Sequence, residues 1–323
     1  MTQGLVAVSG ATGFVGRALC THFAATGRPC RGIVRAEGPG SATREPPVVA
    51  GDLATAPEER LAAAVEGAIA VVHLAGRAHV LHEPAPDAAT AYQAANVFAT
   101  QRLALAAARA GVQRFVLAST IKVHGEASPP GRPLRADDEY APQDAYARSK
   151  VAAEQALMAA CAGTSMVPVI LRLPLVYGPG VRANFLALLD AVARRALLPL
   201  RSIDNRRDLL YLGNLVTAIA TLLDHPGPPP GAWLIADGEA VSTPELVRRI
   251  AAALGVAPRL LPVPLPLLEA AARLAGRRAE LLRVASSLAV DASPLARLIG
   301  PMPFTLDQGL DATAKWWRAR NLE

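Results

Sequence analysis

The stretch that decides the fold lies near the start of the chain, where a short apolar run passes into glycines spaced three residues apart. It reads Leu5-Val6-Ala7-Val8-Ser9-Gly10-Ala11-Thr12-Gly13-Phe14-Val15-Gly16. Glycine in such a turn permits a positive φ and lets backbone N–H groups approach a pyrophosphate at the positive end of a helix. The spacing differs from the general GxGxxG fingerprint, but a strand before it and a helix after it support the assignment. We therefore expect the turn to bind a dinucleotide through Gly10, Thr12, Gly13, Phe14, Val15 and Gly16.

Outward from this turn, apolar runs of strand length alternate with longer Ala-rich helical stretches. The predicted strands are 5–9, 30–34, 48–50, 69–74, 114–119 and 167–173, and the predicted helices are 17–25, 88–110 and 144–160. Short runs rich in Val and Ile without polar alternation are typical of strands buried on both faces. The alternation predicts an α/β fold, a Rossmann-type doubly wound parallel sheet.

After Tyr177 the composition changes to scattered Pro and Gly with shorter apolar helices, predicted at 185–193, 215–223 and 244–254. Residues 226–231 form a turn-rich linker. We expect residues 1–175 to form the NAD(P)-binding domain, joined by a returning segment near 205–225. Residues 176–323 are expected to form mainly a smaller C-terminal substrate-binding lobe.

The composition excludes several classes of protein. With 323 residues, of which 52% are hydrophobic and 19% charged, the chain is not mainly disordered. Three cysteines without CxxC spacing exclude a disulfide framework and a zinc site, and they indicate a reducing compartment. We see neither an export signal nor an apolar stretch of spanning length, so we expect a cytoplasmic protein without a membrane partner.

The basic charge is dispersed along the chain. The formal net charge is +6 and the pI is about 9.6, which favours an anionic ligand but is equally compatible with a solvated surface. Aromatic residues make up only 4% of the chain and no recognition motif is present, so we expect no nucleic-acid partner.

The second predicted strand ends at Val34 and is followed by Arg35. Dinucleotide folds that select NAD place an acidic residue at this position, whereas a nearby Arg accommodates the 2′-phosphate of NADP. We therefore expect NAD or NADP as the cofactor, with Arg35 pointing to NADPH. The alternative is an exposed Arg35 that contacts nothing.

Tyr146 and Lys150 lie four residues apart on one face of a predicted helix. A neighbouring ammonium and the helix dipole are both expected to lower the phenol pKa, which would make Tyr146 a general acid or base. Only three of the 33 basic residues are lysines. A retained Lys150 therefore suggests a role that Arg cannot fill, although an ordinary surface pair is the alternative.

Several further motifs join the glycine turn and the Tyr146/Lys150 pair. They are Gly51-Asp52-Leu53, His73-Leu74-Ala75-Gly76, residues 96–100, Ser119-Thr120 before Val123-His124-Gly125, and Leu175-Val176-Tyr177-Gly178-Pro179. With these, the chain resembles an extended short-chain dehydrogenase/reductase of the nucleotide-sugar epimerase/dehydratase type over essentially its whole length.

The resemblance implies a set of site residues. The catalytic set is Thr120, Tyr146 and Lys150. Asp52 and Leu53 would hold the adenine, and the cofactor would also be lined by Leu74, Ala75, Gly76, Asn96, Ser119, Tyr146, Lys150 and Leu173. The UDP-sugar substrate would be bound by Arg77, Thr120, Asn184 and Arg207. A helix cap is the alternative for Asn184, and a surface ion pair with its neighbours is the alternative for Arg207.

The residues after Thr120 reduce the number of reactions that the resemblance allows. By resemblance, 4,6-dehydratases have an Asp-Glu pair there, whereas this chain has Ile121 and Lys122, so we reject dehydration. A closer resemblance is to a bacterial subgroup of UDP-sugar epimerase homologues, some of which reduce UDP-4-keto-6-deoxy-N-acetylhexosamines for surface polysaccharide. The chain departs from that subgroup at His124 and Thr120. We expect a nucleotide-sugar 4-reductase, with a UDP-hexose 4-epimerase that retains NAD as the alternative.

Three further expectations concern a non-catalytic alternative, a metal site and the oligomeric state. A non-catalytic NAD(P)-binding sensor is the alternative from another class, although such relatives commonly lose the Tyr or the Lys. His73, His79 and His124 fit no ligand spacing, so no metal is expected. The resemblance suggests a homodimer through the Ala-rich helices, and burial of those helices within a monomer explains their composition equally well.

Overall fold

The computed structural model describes residues 4–36, 43, 45–77 and 88–321. Its strands are β1 Leu5–Ser9, β2 Cys30–Val34, β3 Glu45–Val49, β4 Ala68–His73, β5 Arg114–Thr120, β6 Val167–Leu173, β7 Leu175–Tyr177, β8 Leu209–Tyr211 and β9 Gly231–Leu234. Its α-helices are α1 Phe14–Thr26, α2 Glu58–Val65, α3 Ala88–Tyr92, α4 Ala99–Arg109, α5 Ala145–Cys161, α6 Ala183–Ala193, α7 Leu212–Asp224, α8 Thr243–Leu254, α9 Leu265–Leu274, α10 Arg278–Ala285, α11 Ser293–Ile299 and α12 Leu306–Arg320. A π-helical segment covers Gln93–Phe98, and a 3-10 turn covers Ile121–His124.

Seven strands form one parallel sheet in the order β3-β2-β1-β4-β5-β6-β9. The first six follow the Rossmann order, in which the chain starts in the middle and winds to both sides. Val6, Ala7 and Val8 of β1 are all fully buried. Because consecutive strand residues point to opposite faces, both faces of the sheet are covered, and the predicted α/β fold is confirmed.

The chain divides into two compact units. The first comprises Met1–Gly125, Glu139–Leu173 and Val216–Leu234, and it contains the whole seven-stranded sheet. The second comprises Glu126–Asp138, Pro174–Leu215 and Ile235–Glu323, and it contains the parallel pair β7-β8. The segment that returns to the first unit is thus 216–234, whereas the sequence analysis placed it near 205–225.

Two elements differ from their predicted form for physical reasons. Strand β3 starts at Glu45 and includes Pro46 and Pro47, which lack N–H groups and are tolerated because β3 is an edge strand. The single helix predicted at 88–110 is three consecutive segments, with π-helical geometry at Gln93–Phe98. Such π-helical turns are common at functional sites.

Candidate active site

The glycine turn joins β1 to α1. Gly10 has φ of +70°, and the Gly13 N–H donates to the Gly10 carbonyl oxygen over 2.9 Å. A Cβ on Gly16 would lie 2.0 Å from that oxygen, and a Cβ on Gly10 would lie 2.7 Å from the Ala75 nitrogen. Only glycine therefore allows this close packing at both positions.

The start of α1 fits a dinucleotide phosphate. Its cap residue Gly13 has no side chain to occupy the helix end, and the first turn carries no acidic residue. Thr12 and Gly13 are exposed, while Phe14 and Val15 are half-buried. Backbone N–H groups at a helix start attract an anion through hydrogen bonds and the helix dipole. The turn thus offers an anion-binding edge with no carboxylate to repel the ligand.

Arg35 and Asp52 lie together beyond the carboxyl ends of β2 and β3. Arg35 Nη2 is 4.0 Å from Asp52 Oδ2, and both side chains are largely exposed. The other Asp52 oxygen accepts the Ala54 N–H over 3.0 Å, and the adjacent Leu53 is buried. Arg35 is thus exposed, as both interpretations of this residue require, and its guanidinium lies at ion-pair distance from Asp52. An exposed guanidinium can still turn towards a phosphate, because a surface ion pair holds it only weakly.

The loop after β4 is held against β1 and against the π-helical segment. Leu74 N–H donates to the Ser9 carbonyl oxygen over 3.1 Å. Buried Asn96 accepts the Arg77 N–H at Oδ1 over 2.8 Å, and its Nδ2 donates to the Arg77 carbonyl oxygen over 3.2 Å. A Cβ on Gly76 would lie 2.9 Å from Asn96 Oδ1. Asn96 therefore fixes the backbone of a loop that was predicted to line the cofactor.

The same asparagine connects this loop to α5. Asn96 Nδ2 donates to Ser149 Oγ over 2.8 Å, and the Ser149 hydroxyl donates to the Tyr146 carbonyl oxygen over 2.7 Å. Ser149 is buried, so these bonds are shielded from water. The position of Tyr146 is thereby tied to the loop at Ala75 and Gly76.

The structure brings Thr120, Tyr146 and Lys150 together. Thr120 ends β5, and its side chain is hydrogen-bonded to the phenol of Tyr146. Asp144 caps α5 by accepting the Ala147 N–H over 2.6 Å, which places Tyr146 in the first turn. Buried Lys150 lies one turn later and donates from Nζ to the Ala118 carbonyl oxygen over 2.6 Å.

The expected lowering of the phenol pKa is wrong. Burial raises the pKa of Tyr146 to about 12; Thr120 lowers it, and Asp144 and Tyr92 raise it further. Burial also lowers the pKa of Lys150 to about 8, although Glu154 raises it. Desolvation penalises both charged forms, and it is the largest cause of both shifts. At neutral pH the phenol therefore keeps its proton and the amine keeps its charge.

A buried polar cluster that the sequence analysis did not identify lies beside this triad. Glu154, 1% exposed, accepts hydrogen bonds from Ser119, from Tyr140 over 2.9 Å and from Arg172 over 2.7 Å. Arg172, 4% exposed, also contacts His124 Nε2 over 2.8 Å. Glu154 follows Lys150 by four residues, and that spacing was the available signal. Arg172 could be identified only from the fold, because it lies on strand β6 whereas Glu154 lies on helix α5.

Two residues predicted to line the cofactor occupy ends of neighbouring strands. Ser119 and Leu173 belong to β5 and β6, where Thr120 lies opposite Leu173 in the register. The Ser119 hydroxyl donates a hydrogen bond to the Glu154 carboxylate, so Ser119 is part of the buried polar cluster.

Asn184 and Arg207 belong to the second unit, unlike the catalytic set. Helix α6 is capped by Arg182, and Asn184 lies exposed inside its first turn, so the helix-cap alternative is wrong. Arg207 is half-buried and its Nη1 donates to the Ser286 carbonyl oxygen over 2.8 Å. Asp208 accepts the Val290 N–H. Burial lowers the pKa of Arg207, while the carboxylate of Glu126 raises it.

The histidines have hydrogen-bonding roles. His73 Nε2 is 3.1 Å from Thr100 Oγ1, and its Nδ1 is bonded to Ser9 Oγ. His124 is stacked on Tyr140. His79 lies outside the described residues. Among the residues that the structure describes, no group of three His, Cys, Asp or Glu side chains could hold a metal ion.

Comparisons with known proteins agree with this geometry. Residues 6–236 match the family model described as the NAD dependent epimerase/dehydratase family. The chain is 40% identical to a UDP-glucose 4-epimerase of Vibrio cholerae over 76% of this chain and 75% of the relative. It is 32% identical to a dTDP-6-deoxy-L-talose 4-dehydrogenase (NAD(P)(+)) of Kitasatospora kifunensis, over 81% and 82% of the two chains.

A solved structure extends the similarity to the whole chain. The structure of MoeE5 in complex with UDP-glucose and NAD superposes with a TM-score of 0.77 at 27% identity, and it covers 99% of both chains. The family match spans more than half of the sequence, including the glycine turn and the Tyr146/Lys150 pair. The chain belongs to the NAD dependent epimerase/dehydratase family.

Proposed function

We propose that the protein is an NAD(P)-dependent oxidoreductase that acts at C4 of a UDP-sugar, and that it reduces a UDP-4-keto-6-deoxy-hexosamine to the 4-hydroxy sugar. The observation that carries the chemistry is the triad itself, in which the Thr120 side chain is hydrogen-bonded to the phenol of Tyr146 and buried Lys150 lies one turn later on the same helix. A phenol in this position can donate its proton to a carbonyl oxygen as the carbon gains a hydride. Arg35 favours the reductive direction, because it would accommodate the 2′-phosphate of an exchangeable NADPH.

Two relatives support C4 of the sugar as the position of the reaction. The Vibrio cholerae and Kitasatospora kifunensis relatives both act at position 4 of a nucleotide-linked sugar. The second of them acts on a 6-deoxy sugar with NAD(P).

The turn at Gly10, Gly13 and Gly16 would hold the dinucleotide pyrophosphate, and Asp52, Leu53 and Arg35 would hold its adenosine half. When bound in reduced form, the nicotinamide supplies the hydride that C4 receives. Lys150 would hold the nicotinamide ribose, since a compact ammonium can donate to two hydroxyls while it stays buried. Asn96 would keep the loop at Ala75 in place.

Thr120 and Tyr146 would bind the C4 carbonyl oxygen with their hydroxyl groups. Tyr146 then gives its proton to that oxygen as C4 gains the hydride, so that the ketone becomes a secondary alcohol. The Lys150 ammonium, one turn along α5, stabilises the phenolate until solvent returns the proton. Arg77, Asn184 and Arg207 would bind the nucleotide diphosphate through charge-assisted hydrogen bonds.

The segment after Thr120 supports reduction or epimerisation over dehydration. Ile121 is buried, and Lys122 Nζ lies 3.5 Å from Asp144 Oδ2. Ile121 has no titratable group and the Lys122 ammonium lies beside Asp144, so the segment lacks the carboxyl pair that would expel a C6 hydroxyl.

The second candidate is a UDP-hexose 4-epimerase that retains NAD. The observation in its favour is the 40% identity to the Vibrio cholerae 4-epimerase. In that reaction Tyr146 would first accept and then return a proton while the hydride goes back to the opposite face of C4.

The test supplies a UDP-4-keto-6-deoxy-hexosamine with NADH or NADPH deuterated at the transferable position, and follows the product by NMR and mass spectrometry. We expect one deuterium at C4 and one cofactor oxidised for each sugar reduced. A parallel reaction supplies UDP-glucose without cofactor, and the denatured protein is analysed for released NAD.

The outcomes separate the candidates. Interconversion of UDP-glucose and its C4 epimer, with stoichiometric NAD released, would establish the epimerase. Cofactor binding with no turnover of either substrate would identify a sensor, and absence of cofactor binding would refute the enzyme proposals.

A further inference from the structure

Helix α9 of the second unit presents an apolar face to solvent. Leu267, Ala270, Ala271 and Leu274 follow the i, i+3, i+4, i+7 spacing and are all exposed. Leu267 is 62% exposed and Leu274 is 92% exposed. We call these four residues the α9 stripe.

This arrangement reverses the usual pattern of a surface helix. A helix on a globular protein normally buries its apolar stripe and exposes a polar face. No residue of α9 is buried, and the helix packs against α10, which exposes Leu282 and Val284. Both helices therefore present apolar side chains that the described residues leave uncovered.

Arginines border this surface. Residues 257–285 contain five arginines and two acidic residues. Arg273, Arg277 and Arg278 cluster where α9 ends and α10 begins, and all three are exposed. Glu269 lies 3.9 Å from Arg273, and Glu280 lies 3.2 Å from Arg277, so the acidic residues only partly offset the positive charge.

We propose that the α9 stripe and its bordering arginines dock the protein on an anionic lipid surface. A short helix with an apolar face and adjacent arginines lies in the plane of the interface, with its leucines at the acyl boundary and its guanidinium groups at the lipid phosphates. Arg suits this contact because its planar fork binds phosphate in a bidentate manner.

Charge argues against a second copy of the chain as the occupant. A two-fold contact through the same face would bring the Arg273, Arg277 and Arg278 clusters of both copies into one interface. Like charges brought together at an interface oppose association. An anionic lipid surface offers apolar acyl chains to the leucines and phosphate groups to the arginines.

The sequence analysis expected no membrane partner because no apolar stretch is long enough to span a bilayer. Among the described residues, no helix has the length and apolarity to cross a membrane. Peripheral docking needs no span, since the face of one short helix is sufficient. The sequence alone does not show which side of α9 is exposed, whereas the fold does.

The experiment is vesicle sedimentation of the full chain with phosphatidylglycerol/phosphatidylcholine vesicles and with pure phosphatidylcholine vesicles. We expect binding to the anionic vesicles only, and weaker binding as salt rises. The double variant Leu267→Asp/Leu274→Asp should lower the bound fraction at least tenfold, and Arg277→Gln/Arg278→Gln should lower it severalfold. The matched control is Leu105→Asp, an exposed leucine on α4, which should bind as the wild type does.

Several results would overturn the proposal. They are absence of vesicle binding by the wild type, equal binding to neutral vesicles, and binding unchanged by the Leu267→Asp/Leu274→Asp substitutions. A wild-type oligomer that this double variant converts to a smaller species, measured by light scattering, would assign the face to a second copy. Binding is measured without turnover, so the result is independent of the proposed reaction.

Discussion

Glu154 lies one helical turn beyond Lys150 on α5, and its carboxylate raises the pKa of the Lys150 ammonium that burial lowers to about 8. Glu154 is itself held by Arg172, which donates to it over 2.7 Å. The charge on Lys150 therefore depends on a buried acidic residue that is fixed from a neighbouring strand. This relationship makes the Glu154/Arg172 pair a structural support of the catalytic set.

The first prediction compares two Glu–Arg pairs of the first unit. Glu154→Gln should lower the free energy of unfolding by about 3–5 kcal/mol, because it leaves Arg172 buried without a countercharge. Glu58→Gln, which breaks the exposed pair with Arg109, should cost less than about 1 kcal/mol. Urea unfolding of both variants measures the difference, and equal losses would contradict the assignment.

Tyr146→Phe removes the proposed proton donor and the hydrogen bond to Thr120. We expect kcat to fall by about 10²–10⁴-fold, the usual contribution of a positioned acid or base. Cofactor affinity, measured by fluorescence titration, should change little, because the glycine turn and Lys150, which are proposed to hold the dinucleotide, are unchanged. Retained turnover would remove Tyr146 from the mechanism, and lost cofactor binding would indicate structural damage.

His73 makes the fold sensitive to acid. Burial, and secondarily the Lys150 charge, lower the pKa of His73 to about 3 from its ordinary value of 6.5. Because the folded pKa is the lower one, the unfolded chain binds one more proton between these values, and stability falls as the pH falls. In His73→Gln the free energy of unfolding should depend on pH less steeply between pH 6 and 4, by about 1.4 kcal/mol per pH unit.

Urea titrations at several pH values measure this slope for both proteins. The variant also loses part of the hydrogen bonding to Ser9 and Thr100, so its stability at pH 7 should be lower than that of the wild type. A slope identical to the wild type would mean that His73 titrates normally in the fold.

Gly16→Ala should disrupt the glycine turn. The new Cβ would lie 2.0 Å from the Gly10 oxygen, so the backbone must move and the α1 start can no longer present its N–H groups in place. We expect NAD(H) affinity to fall at least tenfold, as measured by calorimetry. Gly227→Ala is the matched control, since its Cβ would meet nothing within 4 Å; a similar loss in that variant would show a nonspecific effect.

Arg35→Ala tests cofactor choice. If Arg35 binds a 2′-phosphate, the variant should lose about 1.5–3 kcal/mol of NADP(H) binding, roughly 10- to 100-fold in Kd, and little NAD(H) binding. Equal effects on both cofactors would assign Arg35 to its ion pair with Asp52 alone.

Residue patterns along the chain were sufficient to predict the parallel sheet. Strand β1 has the predicted bounds, because a parallel strand buried on both faces is typically a continuous apolar run of limited length, as Leu5-Val6-Ala7-Val8 is. Strands β2 and β6 also have the predicted bounds, although each includes an arginine. The glycine spacing likewise reflects a local requirement, since the turn between β1 and α1 depends on residues adjacent in the chain. The Tyr146/Lys150 pair follows from helical periodicity alone.

The tertiary structure decided what depends on distant residues. Arg172 meets Glu154 only because β6 passes beside α5, and Asn96 holds the Arg77 backbone from a π-helical segment within an apparently uniform Ala-rich stretch. The phenol pKa rises instead of falling because burial is a property of the packed protein. Local spacing by itself determined the elements and the candidate residues; desolvation and contacts between distant segments, which exist only after folding, decided their charge states and partners.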